Sequence, residues 1–178
     1  MSKFGIRGPT INERGGINIC CCRVCTCINF SFIVSKIGII KGAEVLLAAM
    51  CETLLIRYGI PYASSIGQAL TSFLTATACC FTTSSILLFC YCFSEKSYNL
   101  IRQSFFEILF NGIACFLYLS ASSYMGFATV VYLHPQFLIT PGFMAYPAMT
   151  AVYYMGYVAA LAHGVDCFFA LKFFRRHG

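Results

Sequence analysis

The chain has 178 residues, of which 59% are hydrophobic and only 10% charged, and its mean hydropathy is +0.77. A soluble domain carries about 25% charged residues, so this composition excludes a water-soluble globular protein. The net charge of +6 fits basic segments held against anionic lipid and calls for no nucleic acid.

The first 27 residues are polar, glycine-rich or cysteine-rich and do not form a signal peptide. The first span is therefore expected to act as its own signal anchor. Residues 20–27 read CCCRVCTC, which gathers five of the twelve cysteines just ahead of a long apolar run. Four stretches follow, at about 35–57, 66–93, 101–126 and 148–171, each long enough as a helix to cross a hydrocarbon core about 30 Å thick. They lack the strict alternation of a transmembrane β-barrel. The expected fold is an all-α, polytopic four-helix transmembrane bundle, with residues 1–29 a basic, cysteine-rich tail and 30–176 the membrane domain.

Basic residues mark the cytoplasmic side. Lys3, Arg7, Arg14 and Arg23 lie in the N-terminal segment, Lys96 and Arg102 in the second connection, and Lys172, Arg175 and Arg176 in the tail. The first connection has only Arg57, and the third, about 127–147, has no charged residue. Both termini are therefore expected in the cytoplasm. On that side the acceptor pattern Asn29-Phe30-Ser31 receives no glycan.

In this topology the cysteine cluster is cytoplasmic and close to the bilayer. A disulfide is unfavourable in a reducing compartment. Zinc would need a second ligand pair to match Cys22 and Cys25, and none follows in soluble sequence. A thiol oxidoreductase would want facing cysteines in the outer connections, which have none. Cysteines beside basic residues at a membrane suit S-acylation, so Cys20, Cys21, Cys22, Cys25 and Cys27 are the candidates, with Cys90, Cys92 and Cys167 weaker ones. Cys51, Cys79, Cys80 and Cys115 read as small apolar packing residues.

Ionisable groups at membrane depth are costly and face partners inside a bundle. Lys36, Lys41, Glu44 and Glu52 lie in the first span, Glu107 in the third and Asp166 in the fourth. Counted from the cytoplasmic ends at 1.5 Å per residue, Lys41, Glu107 and Asp166 each lie roughly 9 Å deep. Glu44 is one turn beyond Lys41, and Asn111 one turn beyond Glu107. The expectation is a polar cluster of Lys41, Glu44, Glu107, Asn111 and Asp166 that sets helix register, while Lys36 snorkels to the headgroups. A proton or ion path would need polar groups reaching the other face, where only Glu52 and hydroxyls stand.

Small residues recur at four-residue spacing in the second span, as Gly67, Thr71, Thr75, Cys79 and Thr83 and as Ser72, Ala76, Cys80 and Ser84. The fourth span has Gly156, Ala160 and Gly164. Such stripes let helices approach closely in lipid, and intramolecular packing is expected over oligomer contacts. The third connection is uncharged and apolar, with Pro135, Pro141 and Pro147 expected to prevent a long helix. It should lie on the outer leaflet or meet another apolar surface; His134 within it is one loop histidine and weak as a pH sensor. No Walker loop, dinucleotide fingerprint, HExxH or GxSxG motif is present, so a non-enzymatic protein without cofactor or metal is expected.

The segments SKIGIIKGAEVLLA, SFFEILFNGIACFLYLSAS and MGYVAALAHGVDCFFALKFFRR resemble the MARVEL domain over about residues 30–176. The shared pattern is a basic–acidic pair early in span one, an acid and asparagine early in span three, and an aspartate late in span four. The short, cysteine-free outer connections are nearer the compact MAL-like and chemokine-like-factor branches than occludin or the synaptophysin-like branch. The resemblance implies work in vesicle trafficking, cholesterol-rich membrane domains, and membrane apposition at junctions or fusion sites, including fusion of the myoblast kind. Expected partners are membrane lipids, a second copy or other membrane proteins. The expected location is the plasma membrane or trafficking vesicles. The rival reading is a small proton or ion transporter using the intramembrane acids.

Overall fold

The computed structural model describes residues 18–19, 22–23 and 30–177, with side chains in 32–176. Cys20, Cys21, Cys25 and Cys27 lie outside the described residues. Cys22 falls in a two-residue antiparallel pair, β1 (Asn18–Ile19) with β2 (Cys22–Arg23). The rest of the described chain is helical apart from short turns at 34–35, 94 and 103–104 and the loop 140–144.

A short helix, α1 (Phe30–Ile33), leads into α2 (Lys36–Leu54). Ser35 is the hinge between them: its hydroxyl accepts from Gly38 N at 3.1 Å and donates to Phe32 O at 2.6 Å. Gly38 is required there, because a Cβ would strike Phe32 O.

The helical run Lys36–Phe93 has 58 residues, about 87 Å if straight, far more than one crossing. It folds back through a π-helical turn at Leu55–Gly59 and a 3-10 turn at Ile60–Tyr62 containing Pro61. The second limb is α3 (Ala63–Phe93), whose regular helix starts after Ile66 (φ −120°, ψ 17°). Glu44 meets Ser84 at one end of the pair and Gly59 sits against Leu70 at the other, so the limbs are antiparallel.

An eight-residue helix, α4 (Glu95–Arg102), follows, capped by the Ser94 hydroxyl accepting from Ser97 N. The last crossings are α5 (Phe105–Ala128) and α7 (Ala145–His177). Helices α2, α3, α5 and α7 form a ring in which each touches two neighbours. Lys41 with Asp166 and Cys51 with Val152 pair α2 to α7 in antiparallel sense. Phe73 with Tyr118 and Gln68 with Tyr124 do so for α3 and α5. The bundle is thus an up-down-up-down four-helix transmembrane domain.

Its burial pattern is inverted relative to a soluble protein. Lys41, Arg102, Glu107, Asn111 and Asp166 have no exposed surface, whereas Leu46, Phe89, Phe116, Leu161 and Phe168 each have more than half of theirs exposed. Lipid solvates the outer apolar groups, and the polar groups must satisfy one another inside.

Three expectations need correction. The third connection is mostly helical, because α5 runs on through a π-helical turn at Thr129–Leu133 into α6 (His134–Ile139), leaving residues 140–144 as the loop. Pro135 directly follows the π-helical turn, and Pro147 lies in the first turn of α7, where its missing N–H costs nothing. Second, Arg102 ends α4 and is buried rather than lying in a solvated connection. Third, Thr71, Ser72, Thr75 and Cys79 face outward, so the first small-residue stripe does not pack inside the bundle. Ala76, Cys80 and Ser84 do, along with Thr77.

Candidate functional site

The sequence places Lys41 in the second turn of α2 and Glu44 three residues on, so both project from one face toward the bundle axis. Across the axis, Glu107 and Asn111 lie four apart on α5, and His163 and Asp166 three apart on α7. The tight turn after α4, held by the Ser104 hydroxyl donating to Ile101 O at 2.6 Å, brings Arg102 over the start of α5.

These residues converge. Lys41 Nζ lies 2.7 Å from Asp166 Oδ2, 3.0 Å from Glu44 Oε2 and 3.6 Å from Glu107 Oε1. Arg102 donates from Nη1 to Glu107 Oε1 at 2.6 Å and from Nη2 to Asp166 Oδ1 at 2.9 Å. Asn111 completes the knot: its Nδ2 donates to Asp166 Oδ2 at 2.9 Å, while its Oδ1 accepts from Lys41 Nζ at 3.2 Å and contacts His163 Nδ1 at 3.0 Å. Ser84 of α3 donates to Glu44 Oε2 at 3.4 Å.

Five helices therefore meet at one buried node. All five polar residues expected from the sequence lie in it. Arg102, His163 and Ser84 were not anticipated. In the sequence Arg102 reads as a marker of the cytoplasmic side, and nothing in a hydropathy profile distinguishes a snorkelling arginine from one that folds inward. His163 carried a readable signal, since three-residue spacing from Asp166 places it on the same helical face.

Aromatic rings close the basic-residue end of this node. Phe32 of α1 is 4% exposed and packs edge-on against Tyr91, with ring centroids 5.4 Å apart. Tyr98 of α4 lies 5.4 Å from Phe32 and 5.3 Å from Tyr91. Burial raises the Tyr98 hydroxyl above its ordinary pKa, opposed by nearby Arg102. For Arg102, burial works against the charge, but Asp166 and Glu107 outweigh it and hold the guanidinium above its ordinary value.

The cysteines within the helices are free thiols. Cys51 and Cys80 are buried in the core, and Cys90, Cys92, Cys115 and Cys167 are half-buried. Cys167 Sγ donates to Ile108 O at 3.4 Å. Among the described residues, no group of three or more His, Cys, Asp or Glu side chains could hold a metal ion.

The bundle with its buried basic–acidic node coincides with a family match. Residues 32–169 match the model of the MARVEL family, the membrane-associating domain. The chain belongs to the MARVEL family. Over 175 residues it is 64% identical to protein singles bar of Drosophila melanogaster, covering 98% of each chain. No solved structure matches. The MARVEL match reaches all four crossings, ending within the last, and includes every residue of the node. The protein is accordingly an integral, multi-pass membrane protein.

Proposed function

We propose that this protein is a non-enzymatic organiser of membrane apposition, acting in vesicle trafficking or cell–cell fusion of the myoblast kind. The observation that carries this reading is the outer tip of the bundle. From Lys172, about 20 residues of α7 suffice to cross the hydrocarbon core, so its first two turns rise roughly 10 Å beyond it. Helix α6 packs on those turns, with Phe137 and His134 within 5.0 and 5.1 Å of Tyr146. The tip so raised presents Leu138 at 72%, Ile139 at 78% and Met144 at 59% exposure, with no charge between residues 127 and 147. An apolar, uncharged projection at headgroup level suits contact with lipid of an adjoining bilayer.

The charged node at the other end would keep the bundle rigid while the tip works, and acylated tail cysteines would bias the protein toward ordered, cholesterol-rich lipid. The test is a cell–cell fusion assay comparing wild type with Leu138→Ser/Ile139→Ser. Reduced fusion at normal surface abundance supports the reading, and unchanged fusion rejects it.

One observation favours a second reading, a small proton or ion transporter. Buried hydroxyls of Ser84, Thr77, Tyr118, Ser122 and Thr129 continue from the node through the bundle core. Reconstituted protein that passes neither protons nor monovalent cations would remove this alternative.

A further inference from the structure

The charges of the buried node do not cancel. Lys41 and Arg102 supply two permanent positive charges, while Glu44, Glu107 and Asp166 supply three carboxyl groups, none more than 1% exposed. With lipid around the bundle, an uncompensated ion here is strongly disfavoured.

The three carboxyl groups are not equivalent. Asp166 faces both cations and Asn111 at 2.7 to 2.9 Å. Glu107 faces Arg102 at 2.6 Å and Lys41 at 3.6 Å. Glu44 has one cation, Lys41 at 3.0 Å, and a long bond from Ser84 at 3.4 Å. Its other oxygen, Oε1, is buried without a hydrogen bond, as is Glu107 Oε2, and lies 3.3 Å from His163 Nδ1; what sets Glu44 apart is that it faces one cation where Glu107 faces two.

His163 is poorly placed to carry the extra proton as an imidazolium. Asn111 Oδ1 accepts from Lys41 and also faces His163 Nδ1, so Nδ1 carries the hydrogen of the neutral ring and a second cation would sit beside the ammonium. The ring itself lies between Phe110, edge-on at 5.8 Å, and Tyr118, stacked at 5.7 Å.

We propose that the node is a binding site for one proton, held on the carboxyl group of Glu44. The titratable and charged groups that face it are Lys41 on its own helix, Cys80 from α3, Glu107 and Tyr118 from α5, and His163 and Asp166 from α7, with the Ser84 hydroxyl at 3.4 Å and Arg102 of α4 completing the charge balance. The proton comes from water at the cytoplasmic end and forms an O–H bond at the carboxyl group, leaving the node neutral. Its release restores one net negative charge between α2 and α7 and loosens their contact.

Infrared spectroscopy of the full chain in lipid nanodiscs at neutral pH tests this. The expected result is a carboxylic-acid C=O stretch that shifts down in deuterated water, disappears in Glu44→Gln and persists in Glu52→Gln, which removes the half-buried acid of the same helix. Absence of the band from wild type overturns the proposal, as does its survival in Glu44→Gln or its loss in Glu52→Gln. A Glu44→Gln protein that fails to fold also overturns it, because glutamine reproduces the neutral acid.

Discussion

Arg102 Nη2 donates to Asp166 Oδ1 at 2.9 Å, tying the short helix between the second and third crossings to the last turns of the fourth. The same guanidinium reaches Glu107 through Nη1, so one side chain spans three helices. Breaking a buried ion pair from one side costs about 3–5 kcal/mol. Arg102→Met should therefore lower the thermal unfolding midpoint sharply in mild detergent. Arg102→Lys should recover only part of the loss, since one ammonium lacks the fork that meets two carboxylates at once. Equal stability of wild type and Arg102→Met would show that the node does not hold the bundle.

Much of this arrangement is legible in the sequence and some is not, for identifiable reasons. Counting helical rise puts Lys41, Glu107 and Asp166 at one depth, because α2, α5 and α7 run nearly unbroken from the end of the bundle that carries the basic residues. The same counting misplaces Arg102: Ser104 turns the chain sharply, and a charge assigned to the interface folds under it. The outer end is harder. Pro135 and Pro147 read as helix breakers, yet Pro147 stands in the first turn of α7, where no intrahelical N–H bond is lost, and Pro135 directly follows the π-helical turn that carries α5 into α6. The outward stripe Thr71, Thr75 and Cys79 has the same spacing as the inward one, and periodicity alone does not say which face meets the core.

Gly156 sets how closely α7 approaches its neighbours. A Cβ there would press on Ser122 Oγ and come 2.6 Å from Phe73 Cζ, both in fully buried side chains. Overpacking of this kind costs about 1–3 kcal/mol. Gly156→Ala should lose roughly that much and Gly156→Leu should fail to assemble. Gly42→Ala is the control, because nothing lies within 4 Å of its added Cβ, and helix propensity predicts a gain of up to about 1 kcal/mol. Size-exclusion profiles and unfolding midpoints of the three variants check the ordering.

Phe32 links the segment after the tail cysteines to the node through Tyr91 and Tyr98. Phe32→Ala removes a ring that is almost wholly enclosed, a change worth about 3–5 kcal/mol in a core and less at the end of a bundle. The expected outcome is faster hydrogen exchange of amides in α1 and the first turn of α2, with exchange in α5 unchanged. Uniform acceleration along the whole chain would contradict a local role.

The five cysteines Cys20, Cys21, Cys22, Cys25 and Cys27 carry the acylation proposal. Their joint replacement by serine should abolish thioester capture of the protein after hydroxylamine treatment and shift it out of ordered-lipid fractions. Cys51 and Cys80 are buried in the core and should contribute nothing to that signal. Capture that persists in the five-serine variant would move the modification to Cys90, Cys92 or Cys167, which are half-buried.

Topology decides whether the apolar tip can meet another membrane at all. By the positive-inside rule the basic residues of the tail and of α4 favour the cytoplasm for that end of the bundle, and the three crossings before residues 140–144 would then put them outside. Thr140 and Lys96 are both exposed, so a cysteine at either position is open to an impermeant maleimide on its own side. In intact cells Thr140→Cys should be labelled and Lys96→Cys should not, with Lys96→Cys reacting only after permeabilisation. The reverse pattern would place the tip in the cytoplasm. It would also expose Asn29 to glycan addition and leave Leu138 and Ile139 no outer bilayer to touch.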